Sequence, residues 1–233
     1  MKYTVLAQLF ENLSNTSSRL AKTVLLANFL KELQGDELDA IILLLQGKVF
    51  SEWEETKLGV AGKLVFRALA TASGKSQDDI QRLFQKTGDI GLATEQAISH
   101  KQQQTLFSTP LTIQQVHKTL QKIATQEGSG SQEAKLALLN SLLTSASAVE
   151  AKFIVRTVVE DLRVGIAAST VRDAVFYAFF TTEYHLDEKN QLQFSIKKGY
   201  EKDTTLKSIQ RAYDFTADFA TVIRHIMAGE PLK

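Results

Sequence analysis

Apolar residues recur every three or four positions along almost the whole chain, and only two prolines, Pro110 and Pro231, stand in the way of helices. Val24, Leu25, Phe29, Leu30 and Leu33 form one stripe. Ile113, Val116, Leu120 and Ile123 form a second, and Phe219, Val222, Ile223 and Ile226 a third. The pattern predicts an all-α fold of about a dozen helices. Two runs, Leu38 to Gln46 and Phe153 to Val159, are apolar on every side and read as central helices. A buried parallel strand is the other reading of each, but no alternation of strands and helices surrounds them. Breaks are expected at Ser73-Gly74-Lys75, from Ser99 to Thr109, from Glu127 to Ser131, and in the charged stretch from Thr181 to Thr205. Within the last, Gln191 to Ile196 alternates like one arm of a small hairpin, following a turn at Asp187 to Asn190.

The sequence holds no cysteine, which excludes disulfides, thiol catalysis and cysteine-bound zinc. The four histidines show no zinc or catalytic spacing, so no metal site is expected. No Walker lysine or dinucleotide fingerprint occurs. A formal net charge of only +1 means that any nucleic-acid role needs basic groups gathered on one face. The N-terminus passes quickly into polar residues and no apolar run approaches a membrane span, so an intracellular protein without membrane contact is expected.

Three blocks recur in order. Ser18 and Lys22 match Ser131 and Lys135 at an offset of 113; Leu58-Gly59-Val60-Ala61 matches Val164-Gly165-Ile166-Ala167 at 106; Ile80-Gln81-Arg82 with Thr87 and Asp89 matches Ile209-Gln210-Arg211 with Thr216 and Asp218 at 129. The ordered recurrence predicts two pseudo-symmetric copies of one multi-helix unit, about residues 1–100 and 110–233. Chance likeness between short apolar helices is the competing reading.

Glycine and serine just before a helix, with a lysine one turn in, form a place to hold a phosphate. Gly130, Ser131 and Lys135 fit that description, and Ser18 with Lys22 fits it more weakly. Arg163 beside Gly165 is the strongest single candidate: glycine lets a sugar-phosphate approach the backbone, and arginine enters a minor groove or forks onto a phosphate. Lys48 and Gly59 are the counterparts in the first half, and Arg172 adds a charge in the second. The competing readings are solvated lysines and an arginine that caps a helix. Asp89 and Asp218 are expected to hold turns.

Taken together, Gly128-Ser129-Gly130-Ser131 with Lys135, Glu150-Ala151-Lys152-Phe153 with Arg156, Asp161-Leu162-Arg163-Val164-Gly165, and Arg172-Asp173-Ala174 resemble the N-terminal DNA-binding domain of ATP-dependent DNA ligases of the archaeal and eukaryotic replicative type. Leu6-Ala7-Gln8-Leu9-Phe10, Gly47 to Trp53, and Thr87 to Gly91 extend the resemblance over essentially the whole chain. It implies one all-helical domain over residues 1–233 that grips the minor groove of nicked duplex DNA on both sides of the nick. The DNA-binding residues would be Ser18, Lys22, Lys48, Gly59, Gly130, Ser131, Lys135, Arg163, Gly165 and Arg172. The family's Lys-x-Asp-Gly nucleophile is absent, because no Asp-Gly dipeptide occurs. The chain is therefore expected to be the non-catalytic part of an enzyme, with a linker to an adenylation domain beginning near Gly229; ATP and Mg2+ are expected for the full-length enzyme only.

Gln103-Gln104-Thr105-Leu106-Phe107 is similar to a sliding-clamp docking peptide of the family, with Leu106 in place of the first aromatic. Gln103, Leu106 and Phe107 would make that contact; an inter-repeat linker is the other reading. A helical-repeat scaffold that binds proteins and no DNA remains the alternative for the chain as a whole.

Overall fold

The structure, a computed structural model, describes residues 1–33, 35–51, 54, 56–99 and 109–232. The clamp-like segment at Gln103, Leu106 and Phe107 lies outside the described residues. Among those described there are twelve α-helices and one two-stranded hairpin. The helices are α1 (Tyr3–Ser14), α2 (Arg19–Lys31), α3 (Leu38–Leu45), α4 (Gly62–Ser73), α5 (Gln77–Thr87) and α6 (Ile90–Ser99), then α7 (Ile113–Ala124), α8 (Ser131–Ser145), α9 (Ala148–Val158), α10 (Ala168–Phe180), α11 (Lys202–Thr216) and α12 (Phe219–Met227). The hairpin, β1 (Thr181–Leu186) and β2 (Leu192–Ile196), interrupts the run between α10 and α11. The all-α expectation holds, including both apolar runs, which lie in α3 and α9 except for their last residues, Gln46 and Val159.

Local chemistry sets the helix ends. Thr112 with Gln115 and Ser147 with Glu150 form capping boxes that open α7 and α9. Gly74 and Gly88, in left-handed conformation, close α4 and α5. Asp89 and Asp218 hold turns as expected: Asp89 Oδ1 accepts from Leu92 N at 2.8 Å, and Asp218 accepts from Ala220 N and Thr221 N. The two corners share further bonds, since Thr87 Oγ1 donates to Asp89 O and Thr216 Oγ1 to Asp218 O.

The chain forms two compact units, Met1–Gln8 with Leu43–Arg163 and Leu9–Ile42 with Val164–Lys233. In the first, α6 packs on α9, α4 on α8, α5 on α4 and α6, and α7 on α8. Leu69, Ile123, Leu139, Leu143 and Phe153 are fully buried there. Residues 1–3 meet the start of α7, with Tyr3 N donating to Leu111 O and Ile113 N to Met1 O. In the second unit, α2 and α11 pack on α10, and α12 packs on α10 and α11. Phe176 is at its centre, stacked on Phe180 and edge-on to Tyr177 and Phe194. Phe194 belongs to the hairpin, whose strands pair Tyr184 with Phe194 and Leu186 with Leu192. Asp187 makes its turn by accepting from the backbone of Lys189 and Gln191.

Candidate nucleic-acid interface

Two helices open on an alanine. The N-cap residues of α4 and α10 are Ala61 and Ala167, which offer no oxygen to the first turn. Each helix is preceded by a glycine turn of the same form, with Gly59 at φ +58° and Gly165 at φ +63°. Leu58 and Val164 are buried, while Gly59, Ala61 and Gly62 are exposed, as are Gly165, Ala167 and Ala168. Among the described residues, the backbone N–H groups of Gly59 to Lys63 and of Gly165 to Ser169 have no hydrogen-bond partner. Each unit thus presents a run of five free amide donors at the positive end of a helix, the arrangement that holds a phosphate.

The lysines expected to contact phosphate are turned elsewhere. Lys135, in the second turn of α8, is buried, and its Nζ donates to Leu58 O at 3.0 Å and Gly59 O at 3.4 Å. Lys22, in α2, donates to Val164 O at 2.7 Å and Gly165 O at 3.1 Å. So the fold brings Lys135 to Gly59 in one unit and Lys22 to Gly165 in the other. Ser18 caps α2 through Ala21 N. Gly130, at φ +83°, is the N-cap of α8, and Ser131 is its first residue; both stand at a third helix start without a side-chain cap.

Arg163 follows the left-handed end of α9, where Glu160 has φ +57° and Asp161 N returns to Arg156 O. Arg163 itself has φ +56°, and its half-exposed side chain is fixed by two carboxylates: Nε donates to Asp161 Oδ2 at 2.7 Å and Nη1 to Asp89 Oδ2 at 3.0 Å. The Asp161 hydrogen bond and charge, with Asp89 behind them, raise the pKa of its guanidinium. Asp89 also binds Arg156, so one carboxylate orders two arginines. Arg172, in the second turn of α10, is held by Asp173 Oδ1 at 2.6 Å and Gln210 Oε1 at 3.2 Å. Lys48 is half-buried in the segment after α3, its N–H bonded to Leu43 O.

Two basic residues escaped the sequence reading. Lys57 and Lys63 flank the first glycine turn, are exposed, and have no acidic partner among the described residues. Lys63 lies in the first turn of α4, beside the free amides. Their signal was proximity to Gly59, and the recurrence obscured it because Ser169 stands where Lys63 does in the matching block.

No group of three or more metal-binding side chains occurs among the described residues. No helix described is long and apolar enough to cross a membrane.

Paired glycine turns, each feeding a helix that opens on free backbone donors, mark this mostly helical protein. The chain belongs to the family described as DNA ligase N terminus, whose profile matches residues 2–175. It is 37% identical to a DNA ligase of Nanoarchaeum equitans over 96% of this chain and 35% of that protein. Identity to a DNA ligase of Thermococcus onnurineus is 33%, over 100% of this chain and 40% of the relative. A DNA ligase of Methanothermobacter thermautotrophicus is 40% identical over 76% of this chain and 32% of its own length. The chain therefore spans 32–40% of the length of these relatives.

Proposed function

We propose that this chain binds nicked duplex DNA through its phosphates and minor groove, and so positions the nick for sealing by the catalytic domains of an ATP-dependent DNA ligase. The observation that carries the reading is the pair of glycine turns with unpartnered amides, one in each compact unit, in a chain of the ligase N-terminal family. Backbone donors contact phosphates whatever the base sequence, which is what an enzyme that must act at any nick requires. Lys57 and Lys63 add exposed charge at the first turn, and Arg163 adds one held by carboxylates. Residues 1–233 act as one DNA-binding domain made of two related halves, about 1–100 and 110–233. The shared Thr-x-Asp corners and the two lysine-held turns support that relation. ATP and Mg2+ are assigned on this reading to the full-length enzyme, as in the DNA ligases the chain resembles. Work inside the cell follows from the substrate.

A fluorescence titration of a labelled nicked duplex at low and moderate salt tests the proposal. Affinity should drop by ~10³ or more if several phosphates are contacted. Comparable binding at both salt concentrations, or none at either, would contradict it.

A further inference from the structure

The two lysines that turn away from solvent have a shared geometry that assigns them a different task. In a trans peptide the C=O and the N–H point in opposite directions. A group that pins the carbonyls of Leu58 and Gly59 therefore turns the N–H groups of Gly59 and Val60 to the other side. Lys135 Nζ pins those two carbonyls, at 3.0 and 3.4 Å. Lys22 Nζ does the same to Val164 and Gly165, at 2.7 and 3.1 Å, and so turns out the N–H groups of Gly165 and Ile166. All four of these amides lack a partner among the described residues. Both glycines have left-handed φ, and an added Cβ would press on the lysine tip: it would stand 3.2 Å from Lys135 Nζ at Gly59, and 2.6 Å from Lys22 Nζ at Gly165, close enough to displace it.

We infer that Lys22 and Lys135 are positioning residues for DNA binding: they do not touch the DNA, but stand behind the two glycine turns and aim the turn amides at its phosphates. The inference rests on the proposed DNA-binding function. Their charge also polarises the gripped peptides, since a hydrogen bond accepted by the carbonyl strengthens the donor on the same amide plane. The recurrence of one clamp in two separate units, from lysines four residues beyond Ser18 and Ser131, argues that it is a built device.

A phosphate ligand and a positioning residue differ in how their loss reads in salt. Removing a lysine that neutralises a phosphate lowers the slope of log K against log salt by ~0.9. Removing one that only orients neutral donors lowers affinity and leaves the slope in place. The test titrates nicked duplex into the wild-type chain and into Lys22→Met, Lys22→Arg and Lys135→Met, across several salt concentrations, with amide NMR spectra of each variant. The expected result is about a tenfold loss for each Met variant, the scale of one charge-assisted hydrogen bond. The slope should be unchanged, Lys22→Arg should bind like wild type, and the shifts should be confined to the amides at 59–63 or 165–169. If Lys135→Met fails to fold, the half-buried Lys22 carries the test. A slope reduced by ~0.9 makes the lysine a direct phosphate ligand and overturns the inference. So does unchanged affinity in folded Met variants when the wild type binds. No binding by the wild type overturns the DNA-binding function itself, and the positioning role with it.

Discussion

Arg156 and Asp89 form a buried ion pair in the first compact unit, with Nη2 to Oδ2 at 2.9 Å and both side chains less than a tenth exposed. Burial by itself raises the Asp89 pKa, but the Leu92 amide, Arg156 and Arg163 outweigh it, and the group is held below the ordinary carboxylate range. A depressed folded pKa contributes stability above the unfolded value of about 3.9, lost as pH falls through the folded value. The chain should therefore lose stability in acid, beginning below about pH 4, and Asp89→Ala should remove that part of the acid dependence. At neutral pH the same change strands Arg156 and should cost about 3–5 kcal/mol, a large share of the 5–15 typical of a domain. Urea unfolding at pH 7 and pH 3.5 reads both effects.

Gly91 leaves the room that Arg156 occupies. A Cβ there would lie 2.5 Å from Nε and 2.7 Å from Cγ of Arg156. Gly91→Ala, ordinarily favourable in a helix, should instead destabilise by about 1–3 kcal/mol through overpacking. Thermal unfolding by circular dichroism checks the sign.

Lys63 is exposed without an acidic partner, and so is the opposite of Lys135. Lys63→Ala should leave stability within about 0.5 kcal/mol of wild type. It should reduce the salt slope of nicked-duplex binding by ~0.9, one phosphate contact fewer. An unchanged slope would remove Lys63 from the interface.

Two left-handed glycines separate backbone strain from binding. Gly74, at φ +73°, closes α4 with open space where a Cβ would stand, whereas a Cβ on Gly165 would stand 2.6 Å from Lys22 Nζ. Alanine at either should cost about 1–2 kcal/mol of stability for the left-handed conformation. Only Gly165→Ala should also weaken DNA binding, because the new methyl group displaces Lys22. Parallel melts and titrations of the two variants test the distinction.

The helices were legible because burial of a helix face imposes a period that three or four residues reveal, as in the Ile113 to Ile123 stripe that became α7. The arm Leu192–Ile196 was legible for the same reason at period two, and its partner Thr181–Leu186 was hidden by charge and by its continuity with α10. The glycine turns at Gly59 and Gly165 were found by recurrence. The role of Lys135 was not, because nothing local distinguishes a lysine bound for solvent from one that reaches carbonyls 76 and 77 residues away. The pairing of Asp89 with Arg156 is equally non-local, at a separation of 67. The cap made by Asp89 was readable because it needs only the next three residues.

Amide-resolved NMR of the labelled chain titrated with a nicked duplex tests most directly whether the glycine turns hold DNA. The largest shifts are predicted at the amides of Gly59 to Lys63 and Gly165 to Ser169, alike for duplexes of unrelated sequence. Shifts confined to other surfaces, with those two turns silent at saturating DNA, would contradict the account.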